Sequence, residues 1–215
     1  MVAKTLFGFE ELLVKELTQL GAQKVEAGVR VVTFEGDKGF MYKANLGLRT
    51  ALKILKPIKT FKAVNDIALY KGVISIDWSE FMTEHQSFLV ETTLHSDHFN
   101  HSQYVALKSK DAIVDQFRDK TGKRPSIDKD FPDVRIHVHI DRDQVTVSLD
   151  SSGESLHRRG YKTATNIAPI NEVLAAGMLL LTGWDGTSHF IDPMCGSGTI
   201  LAEAAMIACN IPANI

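Results

Sequence analysis

The chain has 215 residues, 44% of them hydrophobic and 23% charged, with a formal net charge of −2. That composition suits one or two folded domains and excludes a disordered, fibrous or uniformly basic nucleic-acid-binding chain. No apolar run reaches the length of a membrane span, the start from Met1 to Glu11 lacks the apolar region of a signal peptide, and the two cysteines, Cys195 and Cys209, have no CxxC partner. A cytoplasmic protein with reduced thiols, no membrane partner and no structural metal is therefore expected. Charge is unevenly spread: eleven Lys/Arg against six Asp/Glu in residues 1–62, twelve against sixteen in 63–160, and one against four in 161–215. A local basic patch can still hold RNA.

Residues 1–62 read as a small α+β unit. Phe9, Leu12, Leu13, Leu17 and Leu20 recur at helical spacing, Glu10 and Glu11 suit the positive end of the helix dipole, and Gly21 is placed to end the helix. Val29 to Phe34 is a β-branched run after a Gly28 turn, Asp37 can cap a helix through about Asn45, and Leu52 to Phe61 reads as extended, with Pro57 favouring an edge. Strand, helix, strand, strand, helix, strand is the order of a ferredoxin-like fold. Lys53, Lys56, Lys59 and Lys62 recur every third residue, a period that belongs to neither face of a strand, so they read mainly as solubilising edge charges.

Residues 63–150 read as a second unit. Phe88, Val90, Thr92 and Leu94 alternate and mark a strand, and a helix follows over about Ser102 to Lys120. Val134, Ile136, Val138 and Ile140 alternate with Arg135, His137, His139 and Asp141; after a turn at Arg142-Asp143, Val145, Val147 and Leu149 alternate in turn, which predicts a hairpin with one buried face and one solvated face. On the helix, Ala106, Leu107, Ile113, Val114 and Phe117 fall within one sector, with Lys110 inside it. Lys110 either snorkels over the core or marks a rim where RNA enters. Tyr104, Lys108, Lys123 and Arg124 combine an aromatic with positive charge, as contact with unpaired bases and phosphates requires. Gly122 ends the helix and Pro125 prevents its resumption.

Ser151 to Ser155 is a small polar linker. The basic stretch Leu156-His157-Arg158-Arg159-Gly160-Tyr161-Lys162 suits either phosphate contact or pairing with acids across an interface. Pro169 fits a first helical turn, and Val173 to Leu181 is apolar on every side until Gly183, so that helix must be covered all round. Then Phe190 and Ile191 form a short apolar strand ending on Asp192, Gly196 and Gly198 allow a sharp turn, and an Ala/Leu/Ile helix follows. A strand, glycine loop and helix in this order form a ligand-binding element of open α/β sheets. A phosphate loop needs a Gly-Lys-Ser/Thr end, and no lysine is present. A dinucleotide fingerprint needs a third small residue where Leu201 stands. A ligand bearing a carboxylate and an ammonium remains, with Asp192 as acceptor, and S-adenosylmethionine fits that description.

The string Asp192-Pro193-Met194-Cys195-Gly196-Ser197-Gly198-Thr199 resembles the first cofactor motif of class I methyltransferases, in the form seen in RNA guanine-N2 methyltransferases that carry an amino-terminal THUMP domain. The run Ser102 to Phe117, followed by Gly122-Lys123-Arg124-Pro125 and the hairpin, resembles the THUMP RNA-binding domain of the same family. Leu156-His157-Arg158-Arg159-Gly160-Tyr161 resembles the segment leading into its methyltransferase domain. The implied fold class is α+β: a ferredoxin-like unit (1–62), a THUMP domain (63–150), a linker (151–165) and the beginning of a Rossmann-like methyltransferase domain (166–215). The implied cofactor is S-adenosylmethionine, framed by Asp192, Pro193, Cys195, Gly196, Ser197 and Gly198. The implied partner is RNA, ribosomal or, on a second reading, transfer RNA, contacted by Lys108, Lys110, Arg124, Arg158 and Arg159. A third reading is a non-catalytic RNA-binding module.

The family's (Asn/Asp)-Pro-Pro-aromatic motif, which holds the target amine, has no counterpart among six prolines that are never adjacent, and the acidic residue expected to grip the ribose is missing too. The sequence is thus expected to be the amino-terminal part of a longer polypeptide, with catalytic residues beyond Ile215 and no turnover of its own.

Overall fold

The computed structural model describes residues 1–161 and 170–214. In chain order its elements are β1 (Val2–Thr5), α1 (Glu10–Leu20), β2 (Gln23–Ala27), β3 (Val31–Glu35), α2 (Lys38–Gly47), β4 (Ala51–Lys62), α3 (Asp66–Ile74), a single 3-10 turn (Trp78–Glu80), β5 (Ser87–His95), α4 (Ser102–Thr121), β6 (Ser126–Ile127), β7 (Val134–Asp141), β8 (Gln144–Asp150), α5 (Glu172–Leu181) and α6 (Thr199–Ala208). Two compact units result: Met1–Ile54 together with Glu154–Ile215, and Leu55–Gly153. Lys162 and Pro169 fall outside the described residues.

The first unit is built on the βαββαβ order that its apolar spacing predicts, with strands in the order β2-β3-β1-β4 and antiparallel pairing of β3 to both β1 and β2. This is the ferredoxin-like arrangement. Gly21 ends α1 at φ 100°, its N–H returning to Leu17 and Thr18, and Asp37 caps α2 by accepting from the Phe40 N–H. Leu13, Leu17, Val32, Phe34, Ala44 and Ile54 form the core, and Leu156, far along the chain, is buried among them. The Leu156 N–H donates to Leu52 O at 2.9 Å. Helices α5 and α6 pack on each other, and α5 also meets α1. A Cβ on Gly177 would stand 2.1 Å from the Phe9 ring, so only glycine allows this approach.

The second unit has strand order β4-β8-β7-β5-β6, with β5 parallel to β7 and β6, and β8 antiparallel to β4 and β7. Pro57 stands where the β4–β8 ladder shifts register between Pro57 and Lys59, a place that tolerates a missing N–H. The sheet's apolar face, including Phe88, Ile136, Val138 and Val147, is covered by α3 and α4.

Four sequence expectations are corrected. On α4 the buried residues are Val105, Ser109, Ala112, Ile113, Val114 and Phe117, while Leu107 is 51% exposed. The packing face is rotated from the expected one because Ser109 and Ala112, weakly hydrophobic but small, let the helix sit close. His137 is buried rather than on a solvated face: β7 lies between β5 and β8, the His137 Nε2 sits 3.0 Å from the Thr93 hydroxyl, and the His139 ring stacks at 6.5 Å. Helix α5 is not covered all round, Met178 and Leu181 being exposed. Phe190 and Ile191 form no strand; among the described residues no strand lies beside them to satisfy their backbone groups. Phe190 instead packs on Trp184 with ring centroids 5.1 Å apart, and Ile191 is 82% exposed.

Candidate cofactor loop and nucleic-acid surface

The glycine loop reaches α6 through two left-handed residues, Gly196 at φ 53° and Gly198 at φ 75°. An L side chain is strained at such angles, which accounts for both glycines. A Cβ at either would meet nothing within 4 Å, so the loop faces open space. Inside the loop, Asp192 Oδ1 accepts from the Met194 N–H at 3.0 Å, the Gly198 N–H donates to Cys195 O at 2.7 Å, and the Ser197 and Thr199 hydroxyls lie 3.3 Å apart. Gly198 is the N-cap of α6 and offers no side-chain oxygen, so the first-turn amides keep their donor capacity and the positive end of the dipole for an anion. Pro193, Met194 and Cys195 are exposed. Expected as site residues on sequence alone, Asp192, Pro193, Cys195, Gly196, Ser197 and Gly198 are thus gathered on one short loop.

Helix α6 is held by groups the sequence did not advertise. The guanidinium of Arg159 closes on the carboxylate of Glu203, and the Tyr161 hydroxyl donates to the other Glu203 oxygen at 2.8 Å. Arg159 Nη2 also donates to Arg49 O at 2.5 Å. Arg49 Nη2 in turn donates to Met206 O in the last turn of α6, at 3.2 Å, and to Ile211 O just past the helix end, at 2.6 Å. The turn carrying Arg49 is fixed by Glu16, which accepts from the Arg49 N–H at 2.8 Å, the Thr50 N–H at 3.0 Å and the Thr50 hydroxyl. Burial pushes the carboxyls of Glu16 and Glu203 up, against the lowering by their donors, and pushes the Tyr161 phenol up as well, aided by its bond to Glu203. Arg159, expected among the RNA contacts, is buried in the first unit with its guanidinium on Glu203, the arrangement that the alternative reading of its basic stretch as pairing with acids describes.

The remaining expected cations differ in availability. Arg158 is exposed, 3.5 Å from Glu154. Arg124 is exposed and lines a hollow with Arg118, Lys123, Glu84 and His85 at the carboxyl end of α4. Arg118, not singled out from the sequence, joins this cluster because α4 places it one turn before the Gly122 stop. Lys108 lies 3.7 Å from Asp66 and 5.4 Å from the centre of the Tyr70 ring, and Lys110 pairs with its neighbour Asp111. The Tyr70 phenol is pushed up to about 12, by burial first and then by its hydrogen bond to Asp115. Tyr104 donates to Asp66 at 3.1 Å and remains half exposed. Among the described residues no cluster of three or more His, Cys, Asp or Glu is arranged to hold a metal ion, and no helix is long and apolar enough to cross a membrane.

Comparison with known proteins matches this geometry segment by segment. Residues 1–55 match the RlmL ferredoxin-like domain, residues 65–150 the THUMP domain, and residues 159–215 the RMKL-like methyltransferase domain. A possible methylase from Clostridium difficile 630 is 33% identical, with a TM-score of 0.87 over 99% of this chain and 56% of that chain. SMU.472, a putative methyltransferase complexed with SAH, is 32% identical with a TM-score of 0.85 over the same shares. A predicted N6-adenine-specific DNA methylase from Listeria monocytogenes str. 4b F2365 is 32% identical with a TM-score of 0.86, again over 99% and 56%. The chain therefore spans a little over half the length of these structures. With a THUMP domain between an RlmL-type ferredoxin-like domain and the opening of an RMKL-like methyltransferase domain, the chain belongs to the THUMP-containing, RlmL-like methyltransferases.

Proposed function

We propose that the complete protein transfers the methyl group of S-adenosylmethionine to the exocyclic N2 of guanine in large-subunit ribosomal RNA, in the cytoplasm. The observation that carries this reading is the presence in one chain of a THUMP domain and a glycine loop leading into an uncapped helix terminus. The loop fits the cofactor's methionine end. Gly196 and Gly198 would permit close approach, the first-turn amides of α6 would hold the carboxylate, and Asp192 would accept from the ammonium. Pro193, Cys195 and Ser197 complete the frame. When bound, the cofactor supplies an electrophilic methyl on its sulfonium. Guanine N2 has little basicity, so base flipping and alignment of the amine lone pair with that methyl are the main tasks, carried by groups outside this chain. Arg124 and Arg158, with Lys108 and Lys110 behind their carboxylate partners, supply positive charge for the RNA backbone.

The test is to incubate the complete gene product with methyl-tritiated S-adenosylmethionine and unmodified ribosomal or transfer RNA, then digest to nucleosides. Label in N2-methylguanosine from large-subunit RNA is expected, with none from the 215 residues alone. Label confined to transfer RNA would replace the substrate; label on adenine would overturn the guanine assignment. RNA binding without S-adenosylhomocysteine binding would reduce the protein to a binding module.

A further inference from the structure

We propose that Arg49 is a positioning residue for the cofactor loop: by gripping the carboxyl end of α6, it sets where the amino end of that helix presents Gly196 to Thr199. The inference rests on the cofactor reading above. Among the described residues, the hydrogen bonds of the loop are local, from Asp192 to Met194, Cys195 to Gly198 and Ser197 to Thr199. Among the described residues no hydrogen bond runs from the loop to another element, so its place is inherited from α6, whose first turn it enters. That helix is a rod of ten residues, about 15 Å long. A rod transmits a displacement at one end to the other.

Two cations locate it. Arg49 Nη2 holds Met206 O and Ile211 O, and Arg159 holds Glu203 while donating to Arg49 O. Both converge on the Arg49-Thr50 turn, which Glu16 clamps from α1. Beside the packing of α6 on α5, the ferredoxin-like unit thus holds the carboxyl end of the cofactor helix in place through one turn. Stability alone does not account for this cluster. A buried ion pair is worth little more than well-packed apolar residues, and Arg49 Nη1 and Arg159 Nε are buried without a partner among the described residues, which is costly. What the cluster supplies is a defined geometry, and binding sites must be held to within about half an ångström.

The experiment uses the complete gene product and S-adenosylhomocysteine as probe, with dissociation constants from calorimetry well below the melting temperature and RNA affinity from filter binding. Arg49→Ala is expected to weaken S-adenosylhomocysteine roughly tenfold and to raise KM for S-adenosylmethionine alike, with RNA affinity unchanged within about twofold; Arg49→Lys should recover part of the loss. S-adenosylhomocysteine affinity within about twofold of the parent in the folded Arg49→Ala protein would overturn the proposal, as would parallel loss of cofactor and RNA affinity. If Arg49→Ala does not fold, Arg49→Lys is judged by the same criteria. A parent protein that binds no S-adenosylhomocysteine would instead sink the cofactor reading itself.

Discussion

Arg159 and Glu203, 44 positions apart in sequence, form an ion pair from which both side chains are wholly withdrawn from solvent. Removing one partner strands the other charge, whereas replacing both with apolar residues of similar volume does not. Arg159→Ala is expected to cost about 3–5 kcal/mol in urea denaturation, and Arg159→Met with Glu203→Leu to recover most of it. A single substitution costing under about 1 kcal/mol would show that water reaches the pair.

Gly177 sets two effects against each other. Alanine gains about 1 kcal/mol of helix propensity, but its Cβ would stand 2.1 Å from the Phe9 ring, an overpacking that costs about 1–3 kcal/mol or more. The clash wins. Gly177→Ala should lower the melting temperature, and Phe9→Leu in the same chain should restore part of it; a stabilised single variant would contradict the α1–α5 packing.

Asp77 gives a pH prediction. Lys120 first, then Ser79, holds its carboxyl down to about 2 from the ordinary 3.8. The folded state therefore binds fewer protons between those values. The stability it contributes is full above about pH 4–5 and is lost as pH falls through 3.8 towards 2. Melting temperatures over pH 2–6 should fall more steeply for the parent than for Asp77→Asn; parallel curves would refute the assignment.

At the basic hollow, Arg124→Ala and Lys123→Ala should each weaken RNA binding similarly for all sequences and reduce the slope of log affinity against log salt by about one. Slopes that do not change would mean these cations touch no phosphate. Arg159→Lys, whose position is internal, should leave the slope unaltered.

Gly198→Ala places a side chain at φ 75°, at a strain of about 1–2 kcal/mol. S-adenosylhomocysteine affinity of the complete protein should fall while RNA affinity stays. Retained cofactor affinity would mean the loop does not take the methionine end.

The parts legible in the sequence are those whose causes are local. The βαββαβ order follows from apolar spacing, the Gly21 stop and the Asp37 cap, all within a few residues of what they determine. The glycine loop is equally local, since Gly196 and Gly198 are required by their own backbone angles. Arg159 is hard to place from the sequence because its partner Glu203 lies 44 residues further on, on α6; a run of cations looks the same facing water or facing a buried acid. Phe190 and Ile191 have strand-forming side chains, but a strand also needs a neighbour. On α4, the true contact face runs through Ser109 and Ala112, whose small size matters more than their hydrophobicity and leaves little periodic signal. His137 misled for a related reason, as alternation marks two faces without saying which neighbours wall each in.

The chain leaves the first unit after Ile54 and is back in its core at Leu156, with the Leu156 amide on the Leu52 carbonyl. The THUMP-bearing segment is therefore a guest inserted into a host whose severed ends already touch. A link between Ile54 and Glu154 thus has only a short gap to span, because the Leu52–Leu156 hydrogen bond already holds the two ends side by side.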